Sequence, residues 1–421
     1  TNYIVQNESI ADQQWAADTS GNVYRGTAST SWSTAFILAT GVLGLKVWKN
    51  YLFAARATQL HVYGPLDGSA ILDDGGDWPR AITSDLLTHP LLHGQDDILY
   101  IGAGRFMSSL QEASGSTFTP GTASTQTFTA QALDLPQGYR VRSLGELGKN
   151  LMVGSWKGDN ITDFKTGDIF PWDRASDSFD LPIQLNEGPI HAQKNVKNLL
   201  YFIAGSEGKL FTTDGANVQE LAKIPQHIQD LTGSNVNFLP SSMIHHDSKI
   251  IYGENNSYYI WSYNLNTGAF GVENTVSAGT TNVQLGGLLS TGKDSYLVGF
   301  SGNGAGIDLK GTTSRYTSYS AFVTSPYLIL GSSNKPAVTS EIEVFLARPL
   351  VSNQGVRLSY RTNLSAVFTI IETVDFATYG GYQQQIIPFR LDVLNGIQIR
   401  AELTTGSGAT TSPELSQIIL R

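Results

Sequence analysis

The chain has 421 residues, 41% of them apolar and only 15% charged, with 43 glycines and a net charge of -9. That balance excludes a phosphate-backbone binder, which needs a basic face, so no nucleic-acid partner is expected. The absence of cysteine excludes a disulfide framework and any cysteine-based metal or nucleophile site.

No apolar run approaches the roughly 20 residues of a membrane-spanning helix, so no membrane insertion is expected. The opening TNYIVQNESIADQQW has neither the basic nor the apolar region of a secretion signal. With so little charge, Ser, Thr, Asn, Gln and glycine must carry the surface, which is the composition of a turn-rich β protein.

In chain order, residues 1–40 hold the candidate strands YIVQN and FILAT around QQWAADTSGNVYRG. From there a phrase recurs: a polar dipeptide, an apolar strand, a turn and a second strand. The dipeptides begin at Lys49, Asp96, Lys149, Lys197, Ser248 and Lys293, at intervals of 45–53 residues. The clearest copy is KNLLYFIAGSEGKLFTTDG, 197–215, in which a Gly-Ser-Glu-Gly turn reverses the chain between two β-rich runs. Repeats of roughly 40 to 50 residues built from short strands predict propeller blades of four antiparallel strands.

The repeats divide the chain into blades at 41–87, 88–137, 138–186, 187–237, 238–283 and 284–331. Residues 1–40 are a seventh blade, or complete the last one if there are six. A ring must leave no sheet edge unpaired, and Tyr3 to Gln6 is the candidate strand that closes it. Ala113 to Thr129 reads as an extended polar loop or edge hairpin. IPQHIQDL, 224–231, is the one helical hint.

After residue 331 the pattern changes. GSSNKPAVTS reads as a linker, and EIEVFLARPL, GVRLSYRTN, FTIIETV, QQIIPFRL, GIQIRAEL and LSQIILR read as strands of a small β-sandwich. Ile397, Ile399, Ala401 and Leu403 alternate with Gln398, Arg400 and Glu402, as in a strand with one wet face. The predicted architecture is all-β: a propeller over 1–331 and a β-sandwich docking domain over 332–421.

Candidate chemistry is sparse. His245-His246-Asp247 is the best metal-like cluster, but neighbours on a strand point to opposite faces and do not share an ion. Asp73, Asp74 and Asp77, and Asp173, Asp177 and Asp180, have a calcium-loop flavour without the spacing. GNGAG at 302–306 lacks the following helix of a dinucleotide site. No G-x-S-x-G elbow and no sialidase-type aspartate box is present. Trp172-Asp173 is a solitary Trp-Asp pair. Tyr259, Trp261 and Tyr263 share a strand face, with Tyr258 opposite, and suit core packing better than a sugar platform. No cofactor or metal and no catalytic residue is assigned.

RLDVLNGIQIRAELTTGSGATTSPELSQIIL, 390–420, resembles the β-sandwich strands that end many tail and neck proteins of tailed bacteriophages. The resemblance implies a hairpin between the IQIRAEL strand and the final SPELSQIIL strand. It also implies a non-enzymatic structural component of a virion, assembled in the host cytoplasm beside other virion proteins in a symmetric multicopy array. Contacts with those neighbours, or with a host surface glycan, are expected at Ser114, Thr117, Thr119 and Thr127. In the sandwich loop from Thr404 to Ser412 they are expected at Thr404, Thr405, Ser407 and Thr410. The alternative is a secreted carbohydrate-binding or glycan-cleaving propeller, in which Asp12, Asp73, Asp97, Asp247 and Asp294 would converge near the ring axis.

Overall fold

The hairpin of residues 199–213 sets the pattern of the computed structural model. Leu199–Ala204 pairs antiparallel with Lys209–Thr213, Phe202 opposite Phe211, around the 205–208 turn. Ile190–Val196 joins on the inner side through the Lys197-Asn198 turn, and Val218–Ala222 completes the sheet on the outer side. The same order of four strands recurs over 3–37, 44–81, 91–134, 139–185 and 243–275, and a three-stranded version spans 284–311. These seven sheets are blades 1 to 7.

The described residues are 3–6, 13–18, 20–26, 32–38, 41–67, 78–85, 87–158, 166–224, 238–254, 257–277, 283–292, 295–301, 305–311, 321–325, 327–330, 335–363, 366–394, 396–405 and 413–421. Where it is described, the recurring polar dipeptide lies in the turn between a blade's first and second strands; Lys293-Asp294 lies outside the described residues. At Lys49 and Asn50 (φ 51° and 64°), and at Asp247 and Ser248 (φ 44° and 60°), both turn residues are left-handed. That is the type I′ geometry whose twist matches a right-twisted hairpin. In blade 4 the dipeptide read as Lys149-Asn150 shifts by one, and Gly148 (φ 58°) takes the first turn position.

Each blade buries both faces against its neighbours. Among the described residues, one apolar cluster fills each gap around the ring. The gap between blades 7 and 1 holds Ile4, Ala16 and Leu297, with Tyr24, Trp32, Leu289 and Ile307 packed on them. The ring is therefore closed with seven blades, and residues 3–37 form a blade of their own.

The closing device differs from the expected one. Tyr3–Gln6 does not extend the last blade; it pairs with Gln14–Ala17 inside the first. Its other neighbours are the inner strands Gly44–Trp48 and Gln284–Ser290, against which it packs by its faces. A side chain at Gly287 would come within 2.5 Å of the Ile4 nitrogen, so the seam depends on bare backbone there.

The chain divides into two units at Gly311 and Thr312, earlier than the 331–340 linker. Ala321–Thr324 and Leu328–Ile329 both pair with Gly396–Thr405 and so belong to the second unit. That unit is a two-sheet β-sandwich. One sheet runs Ala321–Thr324, Gly396–Thr405, Gln354–Arg361, Thr369–Asp375; the other runs Gln384–Val393, Ala337–Leu346, Leu415–Leu420. Ile342, Val344, Val356, Leu358, Ile397 and Ile399 are buried between them.

The hairpin implied for the last two strands does not form. Gly396–Thr405 is hydrogen-bonded on both edges, so Leu415–Leu420 pairs instead in the other sheet, with Ile418 opposite Val344. The helical hint IPQHIQDL lies, after Ile224, outside the described residues. The described α-helix is one turn, Phe376–Tyr379, capped by the Asp375 carboxylate accepting from the Thr378 N–H. Among the described residues no helix is long and apolar enough to cross a membrane.

Candidate functional site

Ser114, Thr117 and Thr119 are exposed on the long connection between Phe106–Glu112 and Gln126–Asp134 of blade 3, and Thr127 is exposed on the second of these strands, opposite Gln111. The connection is not a loose loop. The Ser116 hydroxyl donates to the Ala113 carbonyl at 2.6 Å, and the Thr125 hydroxyl joins the turn at Thr119 and Thr122. Phe118 is its anchor: 3% exposed, with its ring 4.9 Å from Trp48 and 5.4 Å from Tyr51. The Phe118 N–H also donates to the Glu112 carboxylate. The connection thus reaches back from blade 3 to blade 2 and holds its hydroxyls on a fixed surface. Its one visible signal was a single aromatic among small polar residues.

In the sandwich, Thr404 is half-buried opposite Gly355, and Thr405 lies opposite Gln354. Both belong to a strand, not to the loop expected to begin at Thr404. Ser407 and Thr410 lie outside the described residues.

Of the acidic candidates, Asp12, Asp73, Asp74, Asp77 and Asp294 lie outside the described residues, as do 302–304 of GNGAG. Asp173 closes its own turn, accepting from the Ala175 and Ser176 N–H groups. Asp97 is tied to Lys49 of blade 2 and, at 2.9 Å, to His93. Partial burial would raise its carboxyl, but Lys49 and His93 outweigh that and hold it below the usual carboxylate range. Asp247 is exposed in its turn.

The two imidazoles face opposite ways. His246 is buried and lies 2.9 Å from the Ser290 hydroxyl of blade 7, while His245 faces Lys194 and Lys197 of blade 5. Trp261 stacks on Phe270 at 5.3 Å inside the core between blades 5 and 6, with Tyr259 and Tyr263 beside it. These aromatics pack, as the strand alternation indicates.

Sequence reasoning missed the buried polar groups. In blade 4, Arg142 is the extra residue of a bulge between Val141 and Ser143. Bulges re-aim side chains, and this one buries a guanidinium at 1% exposure. Arg142 donates to the Phe238 carbonyl at 2.6 Å, on the approach to blade 6, and faces Tyr3 and Asp85. Burial brings its pKa down to about 10 and pushes the Tyr3 phenol up to about 12. Glu254 is 1% exposed, accepts from the Trp261 indole at 3.1 Å, and is pushed up to about 7 by burial. An isolated Arg or Glu in a strand-rich sequence carries no mark of such burial.

No protein-family model matches the chain, and no curated protein matches it. Solved structures match at the level of fold. The WD40 β-propeller domain of Doa1 aligns with a TM-score of 0.50 at 12% identity, over 73% of this chain and 93% of that one. YCF48, solved with a bound peptide, aligns at 0.47 and 10% identity over 75% and 92% of the two chains. An exo-β-1,3-galactanase from Phanerochaete chrysosporium aligns at 0.31 and 14% identity over 97% and 100%. The likeness is one of fold.

Proposed function

We propose that the chain is a non-enzymatic structural component of a tailed-phage particle, present in several copies. In this reading the propeller is a rigid interaction disc and the sandwich the module that docks it. The observation that carries the reading is the distribution of exposed apolar side chains. Of seventeen large ones among the described residues, eleven lie in the second unit, which is the smaller of the two. Val367 is 91% exposed and Ile370 59%, the latter on the sheet-edge strand Thr369–Asp375. Apolar surface concentrated beside a strand edge suits burial against a protein neighbour.

The test is to supply Val367→Glu with Ile370→Glu in place of the natural chain during particle production. Both positions are exposed, so the fold is retained, and purified particles are expected to lack the chain. Incorporation at the natural level contradicts the reading.

A further inference from the structure

Six exposed apolar side chains of the second unit gather at one end of its sandwich. There Gln384–Val393 hands over to Gly396–Thr405, with Ala337 opposite Val393 and Ile329 opposite Gly396. Gln354–Arg361 ends beside them, Arg361 opposite Gln398, and Thr369–Asp375 begins opposite Tyr360. This register brings Ile329, Leu330, Val338, Val367, Ile370 and Leu394 to the same end, each at least 42% exposed.

The end is braced. The Tyr327 hydroxyl donates to the Thr362 carbonyl at 2.5 Å. The guanidinium groups of Arg400 and Arg361 lie 3.9 and 4.7 Å from the Phe368 ring. A contact surface held in place before binding loses less entropy on docking.

Charge narrows the choice of partner. The net charge of -9 lies wholly in the first unit, since residues 312–421 have eight Lys or Arg and seven Asp or Glu. Lys335, Arg361, Arg390 and Arg400 fall within a few residues of the apolar end. Asp392 is there too, while Glu341 and Glu343 face Arg421 at 3.8 and 2.7 Å. A cationic apolar surface repels its own copy and fits an acidic apolar one.

The first unit presents such a surface. In blade 4 the connection from Gly167–Trp172 to Ile183–Leu185 carries Leu181, 90% exposed, beside exposed Asp173, Asp177 and Asp180. The Trp172 indole donates to the Ser176 carbonyl, and the Asp180 N–H to the Pro171 carbonyl, both at 2.7 Å. Phe179 packs inward on Phe170 at 4.6 Å, while Leu181, two residues on, faces solvent. Arg174, the one cation of this connection, is turned onto Glu146 and Asp96. Leu181 and Val367 are the two most exposed large apolar side chains among the described residues.

We propose that the blade 4 connection of one copy docks onto the sandwich end of a second copy, Leu181 against its apolar side chains and Asp177 and Asp180 facing its cations. The contact is head-to-tail, so every copy keeps one surface of each kind and the assembly grows into a ring or a filament. The inference rests on the docking role given above to the sandwich, and names its partner.

Sedimentation velocity of the full chain at rising concentration tests it. Reversible association is expected by about 100 μM at low salt, and less at high salt. Leu181→Glu, and Val367→Glu with Ile370→Glu, are each expected to weaken it about tenfold or more. Mixed in equal amounts, these two proteins are expected to form a 1:1 dimer that neither forms alone, because each retains the surface the other lacks. All three positions are exposed, so the fold is retained. Asp177→Lys with Asp180→Lys, which reverses the charge of the connection, is a second way to block it, with the same expected loss. A natural chain that stays monomeric overturns the proposal, as does unchanged association in Leu181→Glu or a mixture without dimer. A monomeric chain that still enters particles overturns this inference alone; a self-associating chain absent from particles overturns the particle reading alone.

Discussion

Glu254 shows how one buried group sets a pH response for the whole ring. Its carboxyl sits at 1% exposure beside the fully buried Tyr252, and burial lifts its pKa to about 7. In the unfolded chain the same group titrates near about 4.3. Between those values the folded state holds a proton that the unfolded state has lost, so stability falls as pH rises through the window. The loss is about 3 kcal/mol and complete above the folded value. Urea unfolding at about pH 5 and about pH 8 is expected to show that difference, and Glu254→Gln is expected to abolish this part of it. A Glu254→Gln variant with the same pH slope as the natural chain contradicts the assignment. Nothing around Glu254 in the sequence signals this, because burial is decided by blade packing and not by the GENN context.

Elements held together by local chemistry were legible. The hairpin of 197–215 has its turn and both strands where the polar dipeptide and the alternating apolar residues indicate. Five of the sandwich strands follow the same logic to within a few residues; Ala337–Leu346 begins before the EIEVFLARPL run. What was hidden depends on partners remote in sequence. The closure of blade 7 on blade 1 is a face contact between Gly287 and Ile4, and a glycine in GGLL reads only as turn-like or permissive. The missing final hairpin follows from both edges of Gly396–Thr405 being occupied, one of them by residues 321–329, which were read as propeller.

The seam yields a paired prediction. Gly287→Ala drives a methyl group into the Tyr3 and Ile4 backbone and is expected to cost about 1–3 kcal/mol or more by overpacking. Gly271→Ala, where a methyl group meets nothing within 4 Å, is expected to be neutral or slightly stabilising. Equal effects in chemical denaturation would contradict closure at this contact.

At the scale of the molecule, two compact units with a boundary at 311 imply two folding units. A fragment of residues 312–421 is expected to melt cooperatively. A fragment of 332–421 lacks the strands that cover Gly396–Thr405, leaves that edge open, and is expected to melt lower or aggregate. Equal stability of the two fragments contradicts the boundary. For the propeller, seven inter-blade cores make a stiff disc whose surface chemistry is polar and whose apolar exposure is low. The sandwich, though smaller, exposes more of the large apolar side chains, and that contrast motivates the proposal that it docks the chain into an assembly.

Mass spectrometry of density-gradient-purified particles from the source culture tests that central claim most directly. The virion account predicts that the chain co-purifies at a fixed ratio to the capsid protein, a ratio that reports its symmetry. Absence from the particles, with the chain free in the medium, would contradict it.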